Sequence, residues 1–315
     1  MIRATPIQAK VVFTLFKRLS LALAFVTLFS WTLTSVSSAY SSSNWMGSLP
    51  SSTSLASLSI PGTHDSGALY EPINGTAKTQ DLTIAQQLNI GVRYLDVRTR
   101  HYGNAFTIHH GAVYQNQNFD DVLNAVIGFL NSNPSETIIM SVKEEHTPAN
   151  NTRSYEETFK SYVAKNPDKW LLTDHIPTLG EAKGKIVLLR RFDMSQTPYG
   201  INATAWQENT TFNIQNAAKM KIQDYFKVSD KSKKWTDVQN MYNEAKTQNP
   251  SWLYLNFTSG YDPGWFGIPN IRSIKDDLNP KVNSFFTTNT KGRFGVSVMD
   301  FIDEGTAAKI ISTNF

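Results

Sequence analysis

A single-domain α/β barrel is the fold the sequence predicts, and three observations predict it. Eight short apolar segments recur between residues 55 and 300. Several, such as Thr137-Ile138-Ile139-Met140-Ser141-Val142 and Lys185-Ile186-Val187-Leu188-Leu189, are near-continuous apolar runs, which suits parallel strands covered on both faces. Between segments, Phe119, Val122, Leu123, Val126, Ile127 and Leu130 form the one-sided stripe of an amphipathic helix. Eight strands alternating with helices predict a (β/α)8 TIM barrel.

Taken in order, residues 1–39 read as a secretion signal peptide. Arg3, Lys10, Lys17 and Arg18 precede the uncharged apolar run from Leu19 to Leu33, and Ser37-Ser38-Ala39 offers the small residues of a cleavage site. That run is shorter than the roughly 20 residues a membrane span needs. Residues 40–50 are a Ser-rich lead-in to a barrel expected to occupy 40–315. Strands are predicted at 55–60, 92–98, 106–110, 137–143, 185–190, 220–224, 252–257 and 293–300. Helices are predicted at 119–130, 155–163, 238–245 and 307–311. The Asn-, Thr- and Gln-rich stretch 193–216 reads as a long loop.

Charge narrows the partners. The chain has 30 Lys+Arg against 26 Asp+Glu, but four of the basic residues lie in the leader, so residues 40–315 carry 26 of each sign. A nucleic-acid groove needs clustered excess positive charge, and none is visible, so that class is excluded. There is no cysteine, hence no disulfide and no thiolate metal site. Asn-X-Thr sequons at Asn74, Asn150, Asn202, Asn209 and Asn256 predict a glycosylated, extracellular protein.

In such a barrel the reactive groups gather where strands end. His64 ends the first predicted strand, Asp96 and Arg98 the second, and His110 the third. Lys143 and Glu145 end the fourth, Arg190 and Arg191 the fifth, Asp224 the sixth and Asp300 the eighth. Strand alternation puts Asp96 and Arg98 on one face, and turns His109 away from His110. Two imidazoles in one mouth supply a proton acceptor and a proton donor at neutral pH. With a fixed cation beside them, they can run phosphoryl transfer without a metal.

The segments Pro61-Gly62-Thr63-His64-Asp65-Ser66, Asp96-Val97-Arg98 and His110-Gly111 carry a family resemblance, as do residues 133–141, 184–189 and 255–259. From about Trp45 onward the chain resembles phosphatidylinositol-specific phospholipase C of the small secreted, metal-independent bacterial type. The resemblance implies a distorted (β/α)8 barrel acting on phosphatidylinositol at a membrane surface. Its products would be diacylglycerol and inositol 1,2-cyclic phosphate, and glycosyl-phosphatidylinositol anchors are a further expected substrate. By the same resemblance His64 is the base and Asp300 its partner, and His110 is the acid with Asp65 as its partner. Arg98 is the phosphate ligand, while Asp96, Gly111, Lys143, Arg191 and Asp224 line the inositol site. Phe226 stands where the family has a tyrosine that stacks on the inositol ring. The polar run 74–80 replaces the family's membrane helix, which leaves Trp265 and Phe266 as the expected membrane rim. Arg98 and Lys143 replace acidic residues that hold Ca²⁺ in calcium-dependent relatives, so no cofactor or metal is expected, and the protein is expected to be monomeric. Two alternatives stay open: a metal-dependent glycerophosphodiester phosphodiesterase, and a non-catalytic inositol-lipid binder.

Overall fold

A computed structural model describes residues 40–264 and 267–315. The expected leader (1–39) and the expected rim residues Trp265 and Phe266 lie outside the described residues. The remainder is one unit, Tyr40–Phe315.

Seven parallel strands form the wall. In chain order these are β1 (Ser59–Thr63), β2 (Tyr94–Tyr102), β5 (Ile138–Ala149), β7 (Ile186–Arg190), β10 (Lys219–Gln223), β11 (Leu253–Phe257) and β12 (Gly295–Met299), paired in the order β7-β5-β2-β1-β12-β11-β10. Two-residue strands β6 (Trp170–Leu171) and β8 (Ile201–Asn202) extend β7, and β9 (Thr211–Gln215) runs antiparallel to β10. The wall is TIM-barrel-like, but among the described residues hydrogen bonds do not close it. The opening falls in the stretch expected to be a loop, 193–216, which contains β8 and β9. Its polar sequence supplies no apolar run long enough for a full parallel strand.

The third predicted strand, 106–110, is not in the wall. It is β3 (Ala105–His110), paired antiparallel with β2 and with β4 (Val113–Asn118). Gly103 and Asn104 both have positive φ, +58° and +62°, the two-residue turn that suits a hairpin. A parallel return would need a crossover of a dozen or more residues, and two cannot provide it.

The helices are α1 (Ile84–Asn89), α2 (Phe119–Ser132), α3 (Tyr155–Lys165), α4 (Leu179–Ala182), α5 (Lys231–Thr247), α6 (Ile271–Thr288) and α7 (Glu304–Ser312). The helix expected at 119–130 is α2, and those at 155–163, 238–245 and 307–311 fall within α3, α5 and α7. Helix α6 escapes a periodicity reading because Pro280 interrupts it, yet Ile271, Ile274, Leu278, Val282 and Phe286 stay buried along one stripe. Strand alternation splits the core in two. Tyr94, Ile139, Val187, Ile222, Leu255 and Val298 fill the barrel interior, while Leu95, Val97, Met140 and Leu188 pack outward with Val122, Val126 and Phe159 of the helices.

The lead-in is a plug rather than a tether. Its 3-10 helix Ser42–Ser48 buries Trp45 and Met46 and meets a fully buried ion pair between Arg93 and Glu136. One sequon is corrected here. Asn256 lies inside β11, fully buried, with its amide donating to the Val238 carbonyl, so it offers no acceptor for a glycan.

Candidate active site

The base end of the site begins with Gly62. A Cβ there would stand 3.0 Å from Tyr94 Cβ and 3.1 Å from Val296 Cγ1, so a side chain would press β2 and β12 outward by a few tenths of an ångström, and glycine lets β1 pack closely between them. Two residues on, His64 emerges just past the strand end. Its Nδ1 lies 2.7 Å from Asp300 Oδ1, and its Nε2 lies 2.8 Å from Arg98 Nη2. Arginine can only donate, so His64 Nε2 accepts and the ring proton sits on Nδ1, given to Asp300. This is the tautomer of a general base whose lone pair faces the cavity. Gly260, with φ +156°, lets the turn after β11 approach; its amide donates to Asp300 Oδ2 at 3.3 Å.

Arg98 is the hub. Its Nε donates to Asp96 at 3.0 Å and its Nη1 to Glu145 at 3.4 Å. Burial works against its charge, but the Asp96 and Glu145 carboxylates outweigh that and hold the guanidinium ionised. Asp96 is fully buried and pulled well below the usual carboxylate range, because Arg98 and then Arg191 overcome its burial. Lys143 Nζ sits 3.0 Å from Glu145 Oε2. Burial pushes Glu145 up, but Arg98 and Lys143 bring it down to about 2. Because the folded value is depressed from the usual 4.5, Glu145 stabilises the fold above about pH 4.5 and that share is lost as pH falls toward 2. The stability of Glu145→Gln, followed by denaturant unfolding, is therefore expected to change less than the parent's across that window.

On the opposite side is His110. Its ring centroid is 6.5 Å from that of His64, at an interplanar angle of 86°. The expected partner, Asp65, is 3.8 Å from His110 Nδ1, close enough for charge attraction but beyond hydrogen-bond range. The Nδ1 proton goes instead to the Ala77 carbonyl at 2.6 Å. Among the described residues neither buried Asp65 oxygen has a hydrogen-bond partner, and burial drives its carboxyl well upward against the pull of Arg98. Burial also lowers the His110 pKa, and the Arg98 charge lowers it further against the opposing pull of the Ala77 hydrogen bond. In its neutral form, a ring that gives Nδ1–H to Ala77 has a bare Nε2. To donate from Nε2, it must first become imidazolium.

The other expected residues converge on the same place. His64, Arg98, His110, Lys143, Arg191, Asp224 and Phe226 border one cavity of about 380 Å³. Gly111, with φ +54°, donates its amide to Glu145 at 3.2 Å. His109 faces away as alternation predicts, buried against His146 with ring centroids 5.7 Å apart. Phe226 tilts against Tyr261 at 6.2 Å and offers the cavity a ring without a hydroxyl.

Sequence reasoning missed two contributors and left a third, Glu145, at its strand end without a role. Glu145 shares a strand face with Lys143, a two-residue spacing that could have assigned it. Trp206 lies against both Arg191 and Asp224: the Arg191 guanidinium is 3.7 Å from its ring centroid, and its Nε1 donates to Asp224 Oδ2 at 2.9 Å. A lone tryptophan in a polar, non-periodic stretch was the signal available. The Ala77 carbonyl had no signal, because a backbone acceptor is invisible in side-chain chemistry.

Comparisons with known proteins place the chain in one family. Residues 57–192 match the family described as phosphatidylinositol-specific phospholipase C, X domain. The chain is similar to a 1-phosphatidylinositol phosphodiesterase of Staphylococcus aureus, 33% identical over 305 residues, covering 90% of this chain and 92% of the relative. It is also similar to the protein of that name from Listeria monocytogenes, 33% identical over 285 residues and covering 86% and 84%. Among solved structures, a phosphatidylinositol-specific phospholipase C from S. aureus, studied for modulation of its membrane binding, superimposes with a TM-score of 0.77. It is 31% identical, covering 87% of this chain and 98% of that one. The L. monocytogenes phosphatidylinositol-specific phospholipase C gives 0.73, at 29% identity and 88% and 100% coverage.

Proposed function

The chain belongs to the phosphatidylinositol-specific phospholipase C family and is an enzyme of that class, and from this premise we propose how it cleaves phosphatidylinositol. The inositol 2-hydroxyl gives its proton to His64 Nε2 while its oxygen attacks phosphorus. The bond from phosphorus to the diacylglycerol oxygen breaks, and His110, as imidazolium, protonates that oxygen from Nε2. Diacylglycerol and inositol 1,2-cyclic phosphate result. Arg98 holds the non-bridging oxygens, where charge builds in the transition state. In the free site Arg98 is bonded to the base's lone pair, so a phosphate that draws the guanidinium away also frees the base. Lys143, Arg191 and Asp224 supply donors and an acceptor for the ring hydroxyls, and Phe226 an apolar face. The observation that carries this reading is the His64–Asp300 pair facing His110 across a single cavity, with Arg98 between carboxylates and base.

The reaction is proposed to need no metal. Asp96 and Glu145, the carboxylates nearest Arg98, are already neutralised by Arg98, Arg191 and Lys143. A Ca²⁺ ion takes 6–8 oxygen ligands, which two carboxylates bonded to cations supply poorly. The enzyme is further proposed to be secreted and monomeric, to act on glycosyl-phosphatidylinositol anchors as well, and to dock transiently on lipid. Ile73 and Ile268 support docking: they are 65% and 57% exposed, beside the cavity-lining residues Thr76, Gly267 and Pro269.

Purified protein with phosphatidylinositol vesicles in EDTA is expected to release cyclic inositol phosphate, read by phosphorus NMR. Loss of turnover in EDTA with recovery on calcium would favour the metal-dependent alternative. Vesicle binding with no diacylglycerol formed would favour a non-catalytic binder.

A further inference from the structure

We propose that Glu71 is a positioning residue for His110, acting through the Ala77–Lys78 peptide group and itself held by Arg272. The inference rests on the reading of His110 as the general acid. The peptide group in question bonds at both ends. Its carbonyl, from Ala77, accepts the His110 Nδ1 proton at 2.6 Å, and its N–H, from Lys78, donates to Glu71 Oε2 at 3.2 Å. The same carboxylate oxygen accepts the Gly75 amide at 2.9 Å, and the other accepts Arg272 Nη2 at 2.7 Å. Arg272 Nε reaches Asn74 Oδ1 at 2.9 Å, and the Ile271 amide, at the start of α6, donates to the Gly75 carbonyl at 2.9 Å. The run 74–80 is therefore clamped to α6 through an anion that is itself well shielded, its side chain 11% exposed.

Two physical effects follow. A peptide N–H given to a carboxylate polarises the group, so its carbonyl becomes a better acceptor for an imidazolium proton. The clamp also fixes where that carbonyl stands, and therefore the direction in which His110 Nε2 points. A misplacement of about 1 Å at such a site can cost on the order of 10²-fold in rate. Asp65 lies 3.8 Å from His110 Nδ1 and makes no hydrogen bond to it, so the acceptor that directs the Nδ1–H is the Ala77 carbonyl.

The test compares two inositol phosphodiesters, one with an alkyl alcohol as leaving group and one with 4-nitrophenolate, which leaves without being protonated. In Glu71→Ala, kcat on the alkyl ester is expected to fall about 10- to 100-fold. On the nitrophenyl ester it is expected to fall less than about 3-fold, with KM for both esters similarly little changed. Glu71→Gln keeps an oxygen for the two amides but loses the charge, and is expected to fall between Glu71→Ala and the parent. Equal losses on both esters, or none in either variant, would overturn the inference, provided thermal melts show folded protein. His110→Ala separates this from the reading beneath it. If that variant loses equally on both esters, the general-acid assignment itself fails. If it discriminates and the Glu71 variants do not, only the positioning role fails.

Discussion

Replacing His64 with alanine is expected to lower kcat on phosphatidylinositol by about 10²–10⁴-fold, the usual contribution of a general base, with little change in KM. The loss follows from the tautomer. Because Arg98 can only donate to Nε2, the His64 proton is committed to Nδ1 and Asp300, and the lone pair that accepts the hydroxyl proton is already aimed at the cavity. Asp300→Asn should be nearly as damaging, since the amide neither stabilises the imidazolium nor enforces that tautomer. The two groups act as one unit, so the double variant is expected to be no slower than His64→Ala alone. Initial rates on folded variants check this. Strictly additive losses would separate Asp300 from the base, and unchanged turnover in His64→Ala would remove the base assignment altogether.

The largest stability effect is expected far from the chemistry, from Glu136→Ala. Arg93 is fully buried, with Nε on Glu136 at 2.8 Å and its other nitrogens on the carbonyls of Leu88, Val92, Ser42 and Ser43. Burial lowers the Arg93 pKa to about 10 even with Glu136 beside it. Removing the carboxylate leaves an uncompensated guanidinium in the barrel floor. It also strips the acceptor from the Met46 and Gly47 amides of the plug. Breaking one side of such a pair costs about 3–5 kcal/mol, on the order of 10 °C in Tm for a chain of this size. Replacing both partners, as Arg93→Met with Glu136→Leu, should cost less than Glu136→Ala alone, because no charge is then stranded. Thermal unfolding compares them, and a single variant that melts within about 2 °C of the parent would refute the estimate.

Much of the site was legible because barrel chemistry sits at strand ends, and strand ends are marked locally. An apolar run followed by His64, by Asp96 and Arg98, by Lys143, or by Asp300 places each residue without knowledge of its neighbours. The parity of the strand then separates His110 from His109. Closure of the wall and the path of β3 were not legible in that way. The runs 106–110 and 220–224 look alike as sequence, yet one folds back on β2 and the other joins the wall. What distinguishes them is the length and geometry of the connection, Gly103-Asn104 in the first case. Trp206 was hidden for a different reason: its stretch has no periodicity to read.

Side-chain identity and spacing along the chain determined by themselves which groups reach the mouth and with which charge, since alternation and apolar runs are short-range properties. Only the tertiary structure decided who bonds to whom there. The Ala77 carbonyl, not Asp65, accepts the His110 Nδ1–H hydrogen bond, and Arg98 donates to His64 Nε2. Those choices depend on differences of about an ångström between competing acceptors. Such differences are settled by how a loop anchored on α6 packs against a hairpin built on β2, contacts between segments that no local pattern encodes.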